Sequence, residues 1–139
     1  AASEATYGKV RQSFGGTRIQ FNKCISELSK AVELRNKLNT DCIIGVGFVV
    51  QQENWSELYA ACKLYKSLGV DNVRISGAFT VAGTKYHQNY ATQAKALETW
   101  AMKDLNDSKF TVHGRFSEKL SDLGTTPQHP NCGYKDFTT

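Results

Sequence analysis

The feature that most constrains the fold is a segment in the middle of the chain, residues 42–50 (CIIGVGFVV). Its residues are apolar, β-branched or glycine without interruption. This pattern is typical of a strand covered on both faces, as the strands of parallel sheets are. A half-exposed strand would alternate apolar and polar residues instead. We therefore predict a buried parallel strand here, with sheet neighbours on both sides.

Two shorter strands are predicted after it, at residues 72–76 and 110–113. The strand starts lie about thirty residues or more apart, which is the length of a βαβ crossover. Apolar residues at spacings of three and four predict helices between the strands. The two stripes are Leu58, Ala61, Cys62, Tyr65 and Leu68, and then Tyr90, Ala94, Leu97, Ala101 and Leu105. Further helices are predicted from Ser3 to Val10, up to Leu38, and from Ser117 to a stop at Gly124.

Three parallel strands make a poor independent sheet, because both faces need cover and both edges stay open to pairing. We therefore expect the chain to be α/β, with parallel β/α units that form the later half of a partial TIM-like barrel. An open doubly wound sheet is the alternative. Residues 1–124 would form the barrel section and residues 125–139 the start of a C-terminal extension. The missing barrel half would come from the same chain or from another one.

Charge and composition exclude two classes of partner. The net charge is +4, but the basic residues are scattered singly and form no stripe for nucleic acid. No stretch reaches the roughly 18 apolar residues that a membrane span needs, and the N-terminus has no signal-peptide pattern. We expect a cytoplasmic protein. The first three cysteines, Cys24, Cys42 and Cys62, lie in apolar runs and are predicted to pack in the core.

Functional residues of parallel α/β folds gather in the loops after the strands. That rule selects residues 51–54 after the first strand. After the other two strands it selects Ser76, Gly77 and Thr80, and then His113, Gly114 and Arg115. Arg74 would need a carboxylate or phosphate partner if it points inward, or it extends past a helix to solvent. His113 is either an acid–base group or a structural histidine. Asn54, three residues before Glu57, also fits the start of a capping box.

Other motifs are weak or absent. Gly45 and Gly47 stand inside a strand, where a glycine indicates either a close ligand approach or tight packing. His129 and Cys132 have a spacing that a metal could use, but two ligands do not make a site. The sequence has no P-loop, GxGxxG, Ser-His-Asp set or paired-carboxylate motif.

Three ordered stretches together resemble the later barrel half of the radical S-adenosylmethionine superfamily. Residues 1–11 (AASEATYGKVR) are similar to the segment after the family's fourth strand. Residues 45–58 (GVGFVVQQENWSEL) resemble its fifth strand and the Asn-x-x-Glu-Leu helix start. Residues 69–76 (GVDNVRIS) resemble its sixth strand. The resemblance covers most of the chain.

The resemblance implies an enzyme that holds a [4Fe-4S] cluster in a CxxxCxxC loop and cleaves S-adenosylmethionine reductively. The resulting 5′-deoxyadenosyl radical abstracts hydrogen from a substrate, which could be a peptide or a small molecule. The cluster loop is absent from these residues and would lie before Ala1. By the same resemblance, the cofactor-binding residues are Val49, Gln51 and Asn54 near the adenosine, and Arg74 and Ser76 near the methionine moiety or substrate.

The last residues, 131–139 (NCGYKDFTT), resemble the start of the auxiliary-cluster extension of the SPASM branch. Cys132 would then be a ligand of an auxiliary [4Fe-4S] cluster, or else an ordinary loop thiol. Two functions from different classes stay open. The chain is a fragment of a radical enzyme that lacks the cluster-binding half, or it is a stand-alone α/β module that binds a small ligand without catalysis.

Overall fold

The computed structural model describes residues 1–10, 21–80 and 82–120. Two helices come first, α1 (Glu4–Val10) and α2 (Phe21–Leu38), followed by strand β1 (Gly45–Val50). A 3-10 turn at Trp55–Glu57 leads into α3 (Leu58–Ser67), and β2 (Asn72–Gly77) follows. The remaining elements are α4 (Thr84–His87), α5 (Ala91–Leu105), β3 (Thr111–Gly114) and α6 (Phe116–Lys119). The predicted alternation of strands and helices is confirmed over these residues.

The three strands form one parallel sheet in the order β1-β2-β3. Strand order follows chain order, so within the described ranges the sheet has no reversal of the kind that marks a doubly wound fold. β1 pairs with β2 along its whole length, from Gly45 opposite Asn72 to Val50 opposite Gly77. The parallel sheet and its helices are as predicted. Closure into a barrel stays a prediction.

One face of the sheet holds the core. Phe48 and Val50 of β1, Val73 and Ile75 of β2, and Val112 of β3 are at most 2% exposed. The cluster also contains Leu58, Ala61 and Cys62 of α3, and Ala94, Ala101 and Leu105 of α5. The helical stripes predicted from the sequence therefore face the sheet, where burial of apolar area stabilises the fold.

The prediction that β1 is buried on both faces is wrong for the part of the chain that is described. Burial alternates along the strand, with Phe48 and Val50 inside and Gly45, Gly47 and Val49 exposed. The apolar run misled because two of the three outward positions are glycines, which have no side chain to bury. The segment before the strand is also not core, since Ile43 is 74% exposed.

We call the second face the open face. Its residues come from alternate positions of all three strands. They are Gly45, Gly47, Val49, Asn72, Arg74, Ser76, Thr111 and His113. Most of these residues are polar or glycine, so the two faces of one sheet differ in chemistry.

Of the two signals predicted at the ends of α3, the C-terminal stop is confirmed and the N-terminal capping box is wrong. Gly69 ends the helix with φ 82°, in the left-handed region, as predicted for a C-terminal stop. The capping box is wrong, because Asn54 makes no side-chain cap to the turn that begins at Trp55. Glu57 reaches α1 instead, where its carboxylate accepts hydrogen bonds from the Ser3 hydroxyl (2.6 Å) and the Thr6 hydroxyl (2.8 Å).

At the amino edge of the sheet, two carboxylates hold the segments that enter the strands. Asp71 pairs with Arg35 and accepts the Ile44 amide at 2.7 Å. Asp107 pairs with Lys66 (2.7 Å) and accepts the amides of Lys109 and Phe110. The hydrogen bond from Lys66, followed by the one from the Lys109 amide, lowers the pKa of Asp107 to about 2.

The cysteine prediction holds for one of three residues. Cys62 is fully buried in the core. Cys24 is partly buried, with its sulfur 3.2 Å from the Tyr7 hydroxyl, and Cys42 is exposed. Cys42 is exposed because the strand begins only at Gly45.

No helix in the described ranges is both long enough and apolar enough to cross a membrane.

Two strand glycines should respond oppositely to alanine. A Cβ at Gly114 would lie 2.6 Å from the Met102 sulfur and 2.9 Å from the Glu98 carboxylate, while at Gly47 nothing lies within 4 Å. We expect Gly114→Ala to lower the free energy of unfolding by about 2 kcal/mol through overpacking. Gly47→Ala should leave it unchanged or raise it slightly. Urea denaturation of both variants checks this, and equal losses would contradict it.

Candidate ligand-binding site at the carboxyl edge of the sheet

The open face and the loops after the strands meet at the carboxyl edge of the sheet. All three strands are parallel, so their C-terminal ends lie on the same side. Loop backbone groups and helix starts converge there, which makes this edge the usual position of ligand sites in α/β proteins. The site is therefore built from β1, β2 and β3 together with residues 51–54, 78–80 and 114–117.

Arg74 is the charged centre of the open face. It stands opposite Gly47 of β1 and opposite His113 of β3 in the sheet register. Both Arg74 and His113 are exposed, and neither side chain has a hydrogen bond or ion pair with another described residue. None of the eight open-face residues carries a carboxylate. A guanidinium in such a setting suits a carboxylate or phosphate from a ligand, which it can bind through two parallel hydrogen bonds.

The surface beside Arg74 is partly apolar and partly exposed backbone. Gly47 leaves the backbone of β1 uncovered, since no atom lies within 4 Å of the place where a Cβ would stand. Val49, two residues on, is 44% exposed, and it pairs in register with Ser76. An apolar side chain, a hydroxyl and a guanidinium thus lie together on neighbouring strands. This set can contact a ligand that has both an apolar and an anionic part.

The loop after β1 separates two residues that the sequence grouped together. Gln51 is partly exposed at the end of the strand. Asn54 is 2% exposed, and both ends of its amide are occupied. Its Oδ1 accepts the Gln51 amide at 2.8 Å, and its Nδ2 donates to the Val49 carbonyl at 2.9 Å. Asn54 therefore closes the loop that carries Gln51, and its side chain is not presented to a ligand.

The loop after β2 is held from behind by a buried histidine. The Nε2 of His87 lies 3.0 Å from the Ala78 carbonyl, and its Nδ1 lies 2.8 Å from the Tyr90 hydroxyl. Burial, and then the nearby Tyr86 and Glu53, raise the pKa of Tyr90, so this hydroxyl stays protonated. The Ala78 carbonyl can only accept, so Nε2 of His87 is the donor in the bond to the loop.

The same loop presents two further groups. Phe79 is 75% exposed directly after the strand. Thr80 follows it, and its hydroxyl oxygen is buried without a hydrogen-bond partner among the described residues. A buried polar atom normally has a partner, since an unmade hydrogen bond costs about 1–3 kcal/mol. The described residues thus supply no partner for the Thr80 hydroxyl.

The loop after β3 is held by a buried carboxylate. Glu98 of α5 is 2% exposed. It accepts the Phe116 amide at 2.9 Å and the Ser117 amide at 3.1 Å, and it also accepts the Ser117 hydroxyl. These bonds satisfy the first amides of α6, which have no partner inside the helix. Arg115 lies in this loop and is exposed.

Sequence reasoning found the open-face residues and missed the residues behind them. Arg74, Ser76, Val49 and His113 lie on the open face at or near the strand ends. His87 and Glu98 were not selected. A signal for Glu98 was present, because this carboxylate stands between Ala94 and Ala101 in the buried stripe of α5. His87 lies in a four-residue helix with no periodic pattern, so nothing in the sequence marked it.

The two implied cofactors fit the described residues differently. Arg74, Ser76 and the exposed Val49 fit a ligand with a carboxylate and an apolar part, such as S-adenosylmethionine. For an iron–sulfur cluster, the described ranges contain no group of three metal-binding side chains. His129 and Cys132, together with the whole segment 125–139, lie outside these ranges.

A scan against protein-family models and a search of curated proteins found no match for this chain.

Proposed function

We propose that this chain is part of a radical S-adenosylmethionine enzyme and contributes one wall of its cofactor-binding barrel. The open face would line the inside of the barrel, and further strands would pair with the edges of β1 and β3 that no described strand covers. The partner would be the other half of the barrel, from the same chain or from another one. The cytoplasmic location stays a prediction from the sequence.

The observation that carries the proposal is Arg74 on the open face. An exposed guanidinium lies in the middle of a parallel sheet, with Ser76 two residues further along the same strand. No carboxylate on that face neutralises it. In a closed barrel this face would be enclosed, and an enclosed arginine needs an anionic partner. A carboxylate that belongs to a bound ligand meets this need without a protein anion.

Each site residue then has a stated part in binding. Arg74 would pair with the methionyl carboxylate through two hydrogen bonds. Ser76 would exchange a hydrogen bond with the same end of the molecule, and Val49 would contact the adenosine through its exposed apolar surface. Gln51 would offer its side-chain amide at the end of β1. Asn54 would act on Gln51 through the loop rather than on the cofactor.

The cluster chemistry lies outside what these residues can supply. In the family that the sequence resembles, a [4Fe-4S] cluster provides the electron for reductive cleavage of S-adenosylmethionine. The described residues contain no group of three metal-binding side chains that could hold such a cluster. What this chain contributes is binding and orientation, which lower the entropic part of a reaction barrier.

The test uses the complete reading frame that encodes this chain. We expect it to contain a CxxxCxxC motif upstream of Ala1. The anaerobically purified protein should bind S-adenosylmethionine in isothermal titration and release 5′-deoxyadenosine when a reductant is added.

A frame without that motif would overturn the proposal, as would a protein that carries the motif but neither binds nor cleaves S-adenosylmethionine. The stand-alone module would be favoured if the isolated 139-residue chain were monomeric and cooperatively folded and bound a small anionic ligand.

A further inference from the structure

The buried polar side chains of the described structure lie at one edge of the sheet. The three such residues in the described ranges are Asn54, His87 and Glu98, each at most 2% exposed. They come from three different segments of the chain. Burying a polar or charged group is costly unless its hydrogen bonds are made, so three at one edge call for a common explanation.

Each of the three binds the backbone of the loop after a different strand. Asn54 bonds both the Val49 carbonyl and the Gln51 amide at the end of β1. His87 bonds the Ala78 carbonyl, just after β2. Glu98 bonds the amides of Phe116 and Ser117, just after β3. There is thus one buried side chain for each strand end.

The strand ends are also tied to one another. The Ala78 amide donates to the Val50 carbonyl at 3.1 Å, and the Arg115 amide donates to the Ile75 carbonyl at 2.9 Å. The Gln52 amide donates to the Tyr86 hydroxyl of α4 at 3.3 Å, next to His87. A displacement of one loop would therefore be transmitted to its neighbour.

We infer that Asn54, His87 and Glu98 are positioning residues that hold the three carboxyl-edge loops in the conformation that receives the ligand. None of them is exposed enough to contact a ligand freely, and each fixes backbone next to residues that can. Buried hydrogen bonds suit this task, because low dielectric strengthens them and a rigid supporting shell keeps a site in its productive geometry. The identity of the ligand rests on the proposed function, whereas the holding of the loops does not.

The amino edge of the sheet is held by partly exposed side chains, unlike the carboxyl edge. There the entering segments are held by Asp71 and Asp107, whose side chains are 32% and 46% exposed. Water competes for exposed pairs of this kind, and such pairs are worth little to stability. The costly buried groups are thus confined to the edge where parallel α/β sheets bind ligands, and the ordinary partly exposed pairs occupy the opposite edge.

The test compares Glu98→Gln with Leu105→Ala in the complete encoded protein. Both positions are on α5 and buried, but Glu98 is in the middle of the helix, whereas Leu105 is its last residue and belongs to the apolar core. Glutamine keeps the shape of Glu98 and cannot accept all three hydrogen bonds, since its amide nitrogen only donates. Leu105→Ala creates a cavity and should lower the melting temperature by about 5 °C or more.

We expect Glu98→Gln to raise the Kd for S-adenosylmethionine about tenfold and to speed amide hydrogen exchange at Phe116 and Ser117 by at least about tenfold. Leu105→Ala should leave both within about twofold, although it lowers the melting temperature. The inference would be overturned if the two variants changed the Kd equally, or if Glu98→Gln left exchange at those amides unchanged. If the wild-type protein binds no S-adenosylmethionine, the proposed function falls, and the exchange comparison alone decides whether the loops are held.

Discussion

Replacing Arg74 by alanine is expected to raise the Kd for S-adenosylmethionine about 30-fold in the complete encoded protein. Hydrogen bonds to a charged group contribute about 1.5–3 kcal/mol each, and a loss of about 2 kcal/mol corresponds to this factor. Stability should change little, because Arg74 is exposed and forms no ion pair with a described residue. Isothermal titration gives the Kd, and urea denaturation gives the free energy of unfolding.

Lys30→Ala is the control for net charge. Lys30 is an exposed cation on α2 that pairs with Glu27 at 3.0 Å, outside the candidate site. Its removal should change the Kd by less than about threefold, as expected for the loss of a screened surface charge. Arg74→Lys should bind with intermediate affinity, because lysine keeps the charge but lacks the planar pair of donors. Equal effects of Arg74→Ala and Lys30→Ala would show that only net charge matters.

Above pH 9 the chain is expected to lose stability, and the Cys62 thiol should cause about 4 kcal/mol of the loss. Burial, followed by the charge of Glu98, raises the pKa of Cys62 from 9.0 to about 12. The folded state therefore keeps the proton while the unfolded state releases it. The contribution is fully present below pH 9 and disappears as the pH rises toward 12. Between these two pKa values, release of the thiol proton on unfolding lowers the free energy of unfolding by about 1.4 kcal/mol per pH unit.

The measurement is the free energy of unfolding against pH for the wild type and Cys62→Ala. Burial also raises the pKa of Tyr65 and Tyr90, so the wild-type curve falls for more than one reason, and the difference between the two curves isolates Cys62. Cys42→Ser serves as the control, since this thiol is exposed and its loss should leave the curve unchanged. Parallel curves for the wild type and Cys62→Ala would contradict the prediction. The same burial should protect Cys62 from thiol reagents that label Cys42 readily.

The sequence was sufficient for elements whose signal is local. β-branched runs identified β2 and β3 to within about a residue, helical stripes identified α3 and α5, and Gly69 marked a helix end. The rule that ligand sites follow strand ends selected Ser76 and His113, which both lie on the open face. That rule requires only strand direction, which the crossover length supplies.

The sequence was insufficient where long-range packing decides which face a residue takes and which partners it contacts. Residues 42–50 look equally apolar throughout, and only the register with β2 shows that Val49 faces outward while Phe48 faces the helices. Asn54 fits a helix cap in sequence, but in the fold its amide binds the backbone on its other side. The loop partner of His87, Ala78, lies nine residues away, and the partners of Glu98 lie eighteen and nineteen residues away, beyond the reach of any periodic pattern.

The alternation within β2 has a consequence for how such a protein can change. Val73 and Ile75 maintain the core, and their immediate neighbours Arg74 and Ser76 face the other way. A substitution at one set therefore leaves the other set's surroundings nearly intact, so ligand preference can drift during evolution at little cost to folding. A one-residue insertion before the strand would instead exchange the two sets and damage both at once.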